Sequence, residues 1–436
     1  MNPSRSRAIA RFSPKRGSAT LVALLAVVAV TLAPSGAGGQ LARVRDAVSV
    51  GAQAIGVITR ASPAIRGEDL TESYLTQPAI MITIAPWREA FTLRTTINFE
   101  GSTIEDGELN AGIFGEGFID RRHPHTYLHE LVASSARRFG SGPNGVSLTV
   151  GKGFAPFGTD DPMARPFEKY PINHHLAQIL ERAVAIAALR ANGFIVEAGS
   201  FNGDEPTSPG DVPDRKRYWD SWSGRVTYVP WPQGEFQVSY ARVKSPENPT
   251  GQGADQRKQS ASIRLEDAQH SGYALLEFAR TRDYAGSAPS FAYNSLLAET
   301  WARFDLISGA VRFERTERPE EPRLVNEFRT AVPASDLSIA GVSRWTIITA
   351  RLAAALPATR WLTIEPFAEV ARARVAPTSR PTGFDPRQFY GSDRLWSVSV
   401  GAKVSFGMSH MRMGRYGVAV SEQSGTKMAG MNMHHM

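Results

Sequence analysis

Alternation with a period of two residues dominates this chain and limits what it can become. In LWSVSVGAKVSF (395–406), Trp396, Val398, Val400, Ala402, Val404 and Phe406 take one face, while Ser397, Ser399, Gly401, Lys403 and Ser405 take the other. FTLRTTINFE (91–100) sets Phe91, Leu93, Ile97 and Phe99 against Arg94, Thr96, Asn98 and Glu100. Ala261, Ile263 and Leu265 oppose Ser260, Ser262, Arg264 and Glu266, and Ile307, Val311 and Phe313 oppose Ser308, Arg312 and Glu314. Side chains of an extended strand point alternately to its two faces, so each stretch reads as a strand with one apolar side. Sixteen such segments follow one another: 46–59, 76–85, 90–101, 127–138, 145–154, 178–189, 191–202, 221–229, 234–244, 257–267, 271–282, 291–303, 306–318, 342–356, 359–374 and 394–406.

The connections decide what the strands enclose. Short turns (PWRE, SGPNG, ANG, PWPQG, AQHS, DL, LPAT) alternate with long polar loops at 102–126, 155–177, 203–220, 319–341 and 375–393. A soluble sandwich would bury its apolar faces in a core. A transmembrane barrel turns them to lipid, wets the polar faces, and has short turns at one end and long loops at the other. Closure also leaves no unpaired strand edge in hydrocarbon. The turn and loop asymmetry predicts an all-β, transmembrane antiparallel barrel of about sixteen strands, with long extracellular loops and both termini at the opposite end.

The first 37 residues predict an export signal. Arg5, Arg7, Arg11, Lys15 and Arg16 precede the apolar run ATLVALLAVVAVTLA (19–33), and PSGAGG follows, with small residues at Ser35 and Ala37. Setting those five basic residues aside lowers the formal net charge from +7 to +2, which removes the basis for a nucleic-acid partner. Cysteine is absent, so neither a disulfide framework nor a thiolate metal site is available. The organisation expected is a signal peptide at 1–37, a periplasmic segment at 38–45, a barrel at 46–406 and a tail at 407–436.

SVGAKVSF (399–406) resembles the closing-strand signal of Gram-negative outer-membrane barrels, through Ser399, Gly401, Val404 and the aromatic Phe406. In that family the aromatic residue usually ends the chain, whereas here thirty residues follow it. The resemblance implies recognition by the barrel-assembly machinery and a place among outer-membrane lipid and lipopolysaccharide. The strand number is similar to that of phosphate-selective and general porins, which implies passive passage of small polar solutes or ions and a homotrimer.

The polar faces carry both signs of charge: Arg94, Arg225, Arg264, Arg312 and Lys403 beside Glu266, Glu314, Glu365 and Glu369. Charge rings in a pore set ion preference; mixed charges that pair across strands predict weak selectivity. In porins one loop folds inward and constricts the pore. GFAPFGTDDPMARPFEKYPINHH (153–175), with its aromatics, prolines, Asp160 and Asp161, is the candidate here, an outside cap being the alternative. RRHPHTYLHE (121–130) offers His123, His125, His129 and Glu130 to zinc or copper. The stronger reading of that stretch is a polar surface loop leading into a strand. A GxSxG elbow is absent, and no enzyme is expected.

The tail is the most chemically specific stretch. Met408, Met411, Met413, Met428, Met431, Met433 and Met436 account for seven of the ten methionines, and His410, His434 and His435 stand among them. Thioethers are soft ligands suited to Cu(I), and imidazole extends the range to Cu(II). The pattern resembles the Met/His-rich segments of bacterial copper-resistance proteins, and it predicts a periplasmic tail, disordered without metal, that binds Cu(I) or Ag(I). The barrel itself needs no cofactor. A dedicated copper-handling outer-membrane protein, a barrel enzyme and a soluble periplasmic β-protein are the alternative readings.

Overall fold

A computed structural model describes residues 47–62, 69–87, 90–103, 125–140, 142–269, 271–320, 341–359, 361–378, 385–407 and 412–420. The signal peptide and the 38–45 segment lie outside the described residues. The strands are β1 (Val48–Ser62), β2 (Leu70–Ile84), β3 (Phe91–Asn98), β4 (Leu128–Arg138), β5 (Gly145–Gly153), β6 (Arg182–Ala191), β7 (Phe194–Phe201), β8 (Ser221–Trp231), β9 (Gly234–Val243), β10 (Asp255–Glu266), β11 (Gly272–Ala285), β12 (Ala288–Phe304), β13 (Ile307–Glu320), β14 (Gly341–Ala354), β15 (Leu356–Pro357), β16 (Leu362–Pro377) and β17 (Arg394–Gly407). The two-residue β15 prolongs β14 against the same neighbour, β16, so the seventeen assigned strands make a sixteen-stranded wall. Each of the sixteen expected segments corresponds to one of these strands.

Each of the sixteen wall strands pairs antiparallel with the next, β14 and its extension β15 both with β16, and β17 pairs with β1 from Gly51↔Gly407 to Ser62↔Trp396, which closes the sheet. Closure consumes the backbone donors and acceptors at both edges, the condition a sheet must meet in hydrocarbon. The apolar faces point outward. Leu148, Leu352 and Val400 are 66%, 61% and 58% exposed, whereas inward-facing Glu277, Arg312 and Ser399 are 0–1% exposed. Such a distribution inverts that of a soluble domain and fits a lipid surround.

The two ends differ. The end carrying β1's start and β17's finish has the short turns and is called the terminal end here; the other is the loop end. Trp87, Phe139, Phe194, Trp231, Phe304 and Trp361 are exposed at the terminal-end turns. Tyr127, Tyr218, Trp219 and Trp222 are exposed near the loop end. Aromatic rings enriched at two levels mark the two interfaces of a bilayer. One long-loop position departs from the pattern, since β11 and β12 join through Gly286–Ser287 alone.

The closing strand shows why its sequence has to be so. Ser399 points inward and exchanges a 2.7 Å hydroxyl hydrogen bond with Thr59. Gly401 lies beneath the ring of Phe367: a Cβ there would come within 2.9 Å of Phe367 Cζ and 2.3 Å of the Gly56 carbonyl oxygen. Val404 and Phe406 take the outward face.

Candidate functional site

The barrel interior is filled from both ends, and its contents are the candidate site. Alternation stops at Gly153, and Pro156, Pro162, Pro166 and Pro171 keep the next stretch from pairing as a strand. That stretch still carries Phe154, Phe157, Phe167, Tyr170, Ile172, Leu176 and Ile179, all buried. It enters the lumen, where its non-repetitive backbone has to find side-chain partners. The Gly158 amide donates to Ser239 Oγ (3.0 Å), and its carbonyl accepts from Arg225 Nη1 (3.1 Å) and Gln237 Nε2 (2.6 Å). The amides of Glu168 and Ile172 donate to Glu369 Oε2 (3.0 Å) and Glu314 Oε1 (2.7 Å), and Arg312 Nη2 donates to the Lys169 carbonyl (2.8 Å). Gly158 takes φ = +67°, and a Cβ there would overlap the Ala177 carbonyl, so no other residue fits this turn.

A second segment, residues 412–420, fills the terminal end. Met413, Tyr416, Val418 and Ala419 are buried. Met413 and Tyr416 pack with Phe154, Phe157 and Ile179 of the inward loop, while Val418 and Ala419 pack against Ala188 and Ile195. The Tyr416 hydroxyl accepts from the Phe154 amide (3.0 Å), and the Val418 amide donates to Ser147 Oγ (3.1 Å). Arg94, Arg225 and Arg190 donate to the carbonyls of Arg415, Gly414 and Val420 at 3.2, 2.9 and 3.2 Å. A wholly periplasmic, disordered tail is therefore corrected for these residues. Their alternation of arginines with apolar side chains matches a lumen lined by carboxylates and floored by the loop's aromatics.

The two inserts meet at a cluster of charges. Arg412 reaches Asp160 Oδ2 and Glu235 Oε2, both at 2.6 Å; Arg415 lies 3.8 Å from Asp160 and 3.4 Å from Glu235. Burial opposes ionisation of Asp160, but Arg412, Arg264 and Arg415 outweigh it and hold the carboxyl well below its usual range. Elsewhere Arg225 pairs with Glu197 (2.6 Å), Arg312 with Glu314 (3.1 Å) and Arg351 with Glu365 (2.9 Å).

All the charged residues expected to line the lumen are on the inward faces. Arg94, Arg225, Arg312, Glu314 and Glu369 hold the loop or the tail rather than standing in open water, which corrects the expectation of a wet lining for them. Arg264, Glu266, Glu365 and Lys403 remain partly exposed. Asp160 binds the tail; Asp161 accepts from the Met163 amide (2.7 Å) and faces His129. Met413, expected as a metal ligand, is 3% exposed among aromatic rings and is a packing residue. Met408, His410, Met411, Met428, Met431, Met433, His434, His435 and Met436 lie outside the described residues, as does His123.

The spacing at 121–130 marks His125, His129 and Glu130, but not the bulge or the Glu181 that complete their group. Thr96 pairs with Glu130 and Ile97 with Leu128, so His129 is the extra residue of a β-bulge that turns it inward beside Glu130. Glu130 then accepts from Thr96 Oγ1 (3.0 Å), while His125 and His129 both face Glu181. The reading of 121–130 as surface loop is corrected for these three residues: the carboxylate partner comes from the far end of the inward loop. Burial disfavours a charged imidazole at His125, yet Glu181 prevails and raises its pKa to about 9. Burial and the neighbouring His125 push His174 down to about 3. Glu181 takes φ = +57°, an arrangement costing about 1–3 kcal/mol for a residue with a side chain.

No protein-family model matches the chain, and no curated protein matches it in sequence. Solved structures do resemble it. OprB of Pseudomonas putida is 12% identical, with TM-score 0.47 over 85% of this chain and 97% of that one. An anion-selective porin from Comamonas acidovorans is 9% identical, with TM-score 0.46 over 83% and 99%. OmpT, an outer membrane protein of Vibrio cholerae, is 10% identical, with TM-score 0.46 over 82% and 97%.

Proposed function

We propose that the chain is an outer-membrane channel for small polar solutes or ions, narrowed by the inward loop and stoppered at its terminal end by residues 412–420. The observation that carries this reading is a sixteen-stranded wall whose inward face is mainly polar, with apolar patches such as Ile55, Val57, Trp345 and Phe367, and which is wide enough to admit both inserts. The tail packs against β3 to β9. Partly exposed Arg264, Glu266, Glu365 and Lys403 stand on β10, β16 and β17, so the path for solutes runs along that side. Paired charges of both signs leave little net field, which supports weak ion preference. Liposomes carrying the protein and loaded with an impermeant polymer should swell in small sugars and not in large ones. Absence of swelling in every sugar, with the barrel folded, would contradict the reading.

A second reading concerns the tail. Val420 is held by Arg190 near the terminal-end rim. From there the chain continues to Met428, Met431, Met433, His434, His435 and Met436, a soft donor set that supports collection of Cu(I) or Ag(I).

A further inference from the structure

We propose that His125, His129 and Glu181 form a binding site for a divalent first-row transition metal, with zinc as the probe, where the inward loop rejoins the wall. Their donor atoms all lie within 4.8 Å of one another. Both imidazole Nδ1 atoms face one carboxylate oxygen: Glu181 Oε1 is 3.1 Å from His125 and closer still to His129. Zinc sits about 2.0–2.2 Å from nitrogen and oxygen ligands. Tetrahedral zinc would hold its donor atoms about 3.3–3.5 Å apart, so Glu181 Oε1 would part slightly from both imidazoles as the rings reorient around the ion.

The surroundings aim these groups. Glu181 Oε2 accepts from the Thr126 amide (2.9 Å) and hydroxyl (2.7 Å), which leaves Oε1 turned toward the imidazoles. The left-handed backbone at Glu181 and the bulge at His129 both direct side chains into this one spot. His129 Nε2 faces Asp161 Oδ2 at 3.4 Å, the carboxylate–imidazole–metal arrangement that fixes the ring of a metal-bound histidine. His125 Nε2 is buried with no hydrogen-bond partner among the described residues, so no bond there opposes a small rotation of the ring.

An ion bound here would take the place of the imidazole protons as the positive charge that Glu181 and Asp161 face. Glu181 and Asp161 are buried carboxylates. Lys152 reaches the Thr126 hydroxyl (2.5 Å) as the neighbouring positive charge, while Arg182 is taken up by Glu205 (2.6 Å). Two imidazoles with a carboxylate select zinc and its first-row neighbours over calcium or magnesium, which prefer all-oxygen shells. The bound ion would clamp the C-terminal root of the inward loop to β4. This assignment does not depend on whether solutes cross the barrel.

The test uses the full chain in detergent, stripped by chelator and titrated with Zn²⁺, with heat-modifiable gel mobility as the folding control. Wild type should bind one equivalent more than Glu181→Gln or His125→Gln, since the tail histidines are common to all three. Asp161→Asn should weaken that equivalent about 10-fold or more. Zinc X-ray absorption on wild type, at one equivalent, should give a nitrogen and oxygen shell containing two imidazoles. Equal stoichiometry in wild type and folded variants would overturn the proposal. So would a sulfur-containing first shell at one equivalent, which needs no variant to read.

Discussion

Arg412 and Asp160 lie 252 positions apart in the sequence, and Arg412 Nε is 2.6 Å from Asp160 Oδ2 in the barrel. The contact joins an insert from the terminal end to one from the loop end. Both side chains are largely buried, so removing one partner strands the other: breaking a buried pair costs about 3–5 kcal/mol. Arg412→Ala should therefore unseat residues 412–420 without unfolding the wall. Limited proteolysis should cut the tail of the variant faster, while heat-modifiable mobility stays unchanged. Equal cleavage rates would show that the pair does not hold the tail.

Acid should act through the same contact. Asp160 ionises below its ordinary value of 3.8 in the folded protein. A carboxyl shifted downward stabilises the fold above its unfolded value, and this contribution disappears as pH falls through the folded one. Protection of the tail should stay level from neutral pH to about pH 4 and decline only in stronger acid. Asp160→Asn should remove that decline and leave a tail exposed at every pH. A loss of protection centred near pH 6.5 would point to histidine instead.

Phe406 tests the closing strand. It faces outward near the aromatic level of the terminal end, two residues beyond Val404. Phe406→Ala should lower the yield of assembled barrel several-fold, whereas deletion of 421–436 should leave it unchanged. Normal assembly of the substitution together with failure of the deletion would place the signal elsewhere.

The thioethers beyond residue 420 make a separate prediction. Changing Met428, Met431, Met433 and Met436 to Leu keeps apolar volume and removes sulfur. The substituted protein should bind Cu(I) or Ag(I) at least about 10-fold more weakly, because thioether is the soft donor that suits these ions. Unchanged affinity in a competition titration would sink the thioether reading.

The wall was legible because every strand answers to the same two solvents. Trp396, Val398 and Val400 face lipid while Ser397 and Ser399 face inward, and this local alternation needs no knowledge of neighbours. The filling was less legible because it has no period. Gly158 is fixed by Arg225 and Gln237 from other strands, and His129 turns inward only through a bulge against β3. Glu181 stands 52 positions from His129, a distance that no spacing rule connects. The tail did carry a usable signal. Met413, Tyr416 and Val418 interleave with Arg412 and Arg415, too apolar a pattern for a purely solvated end. Met413 carries a soft sulfur, but its neighbours Arg412, Arg415 and Tyr416 mark the stretch for the lumen, where it packs with Phe154 and Phe157.

The measurement closest to the central claim is single-channel conductance in a planar bilayer, comparing the full chain with one lacking 412–436. A channel narrowed by two inserts predicts small ohmic steps with modest ion preference for the full chain. Removing the tail should give several-fold larger steps, with assembly intact. Silence from both proteins at high loading, or equal conductance with and without the tail, would contradict it.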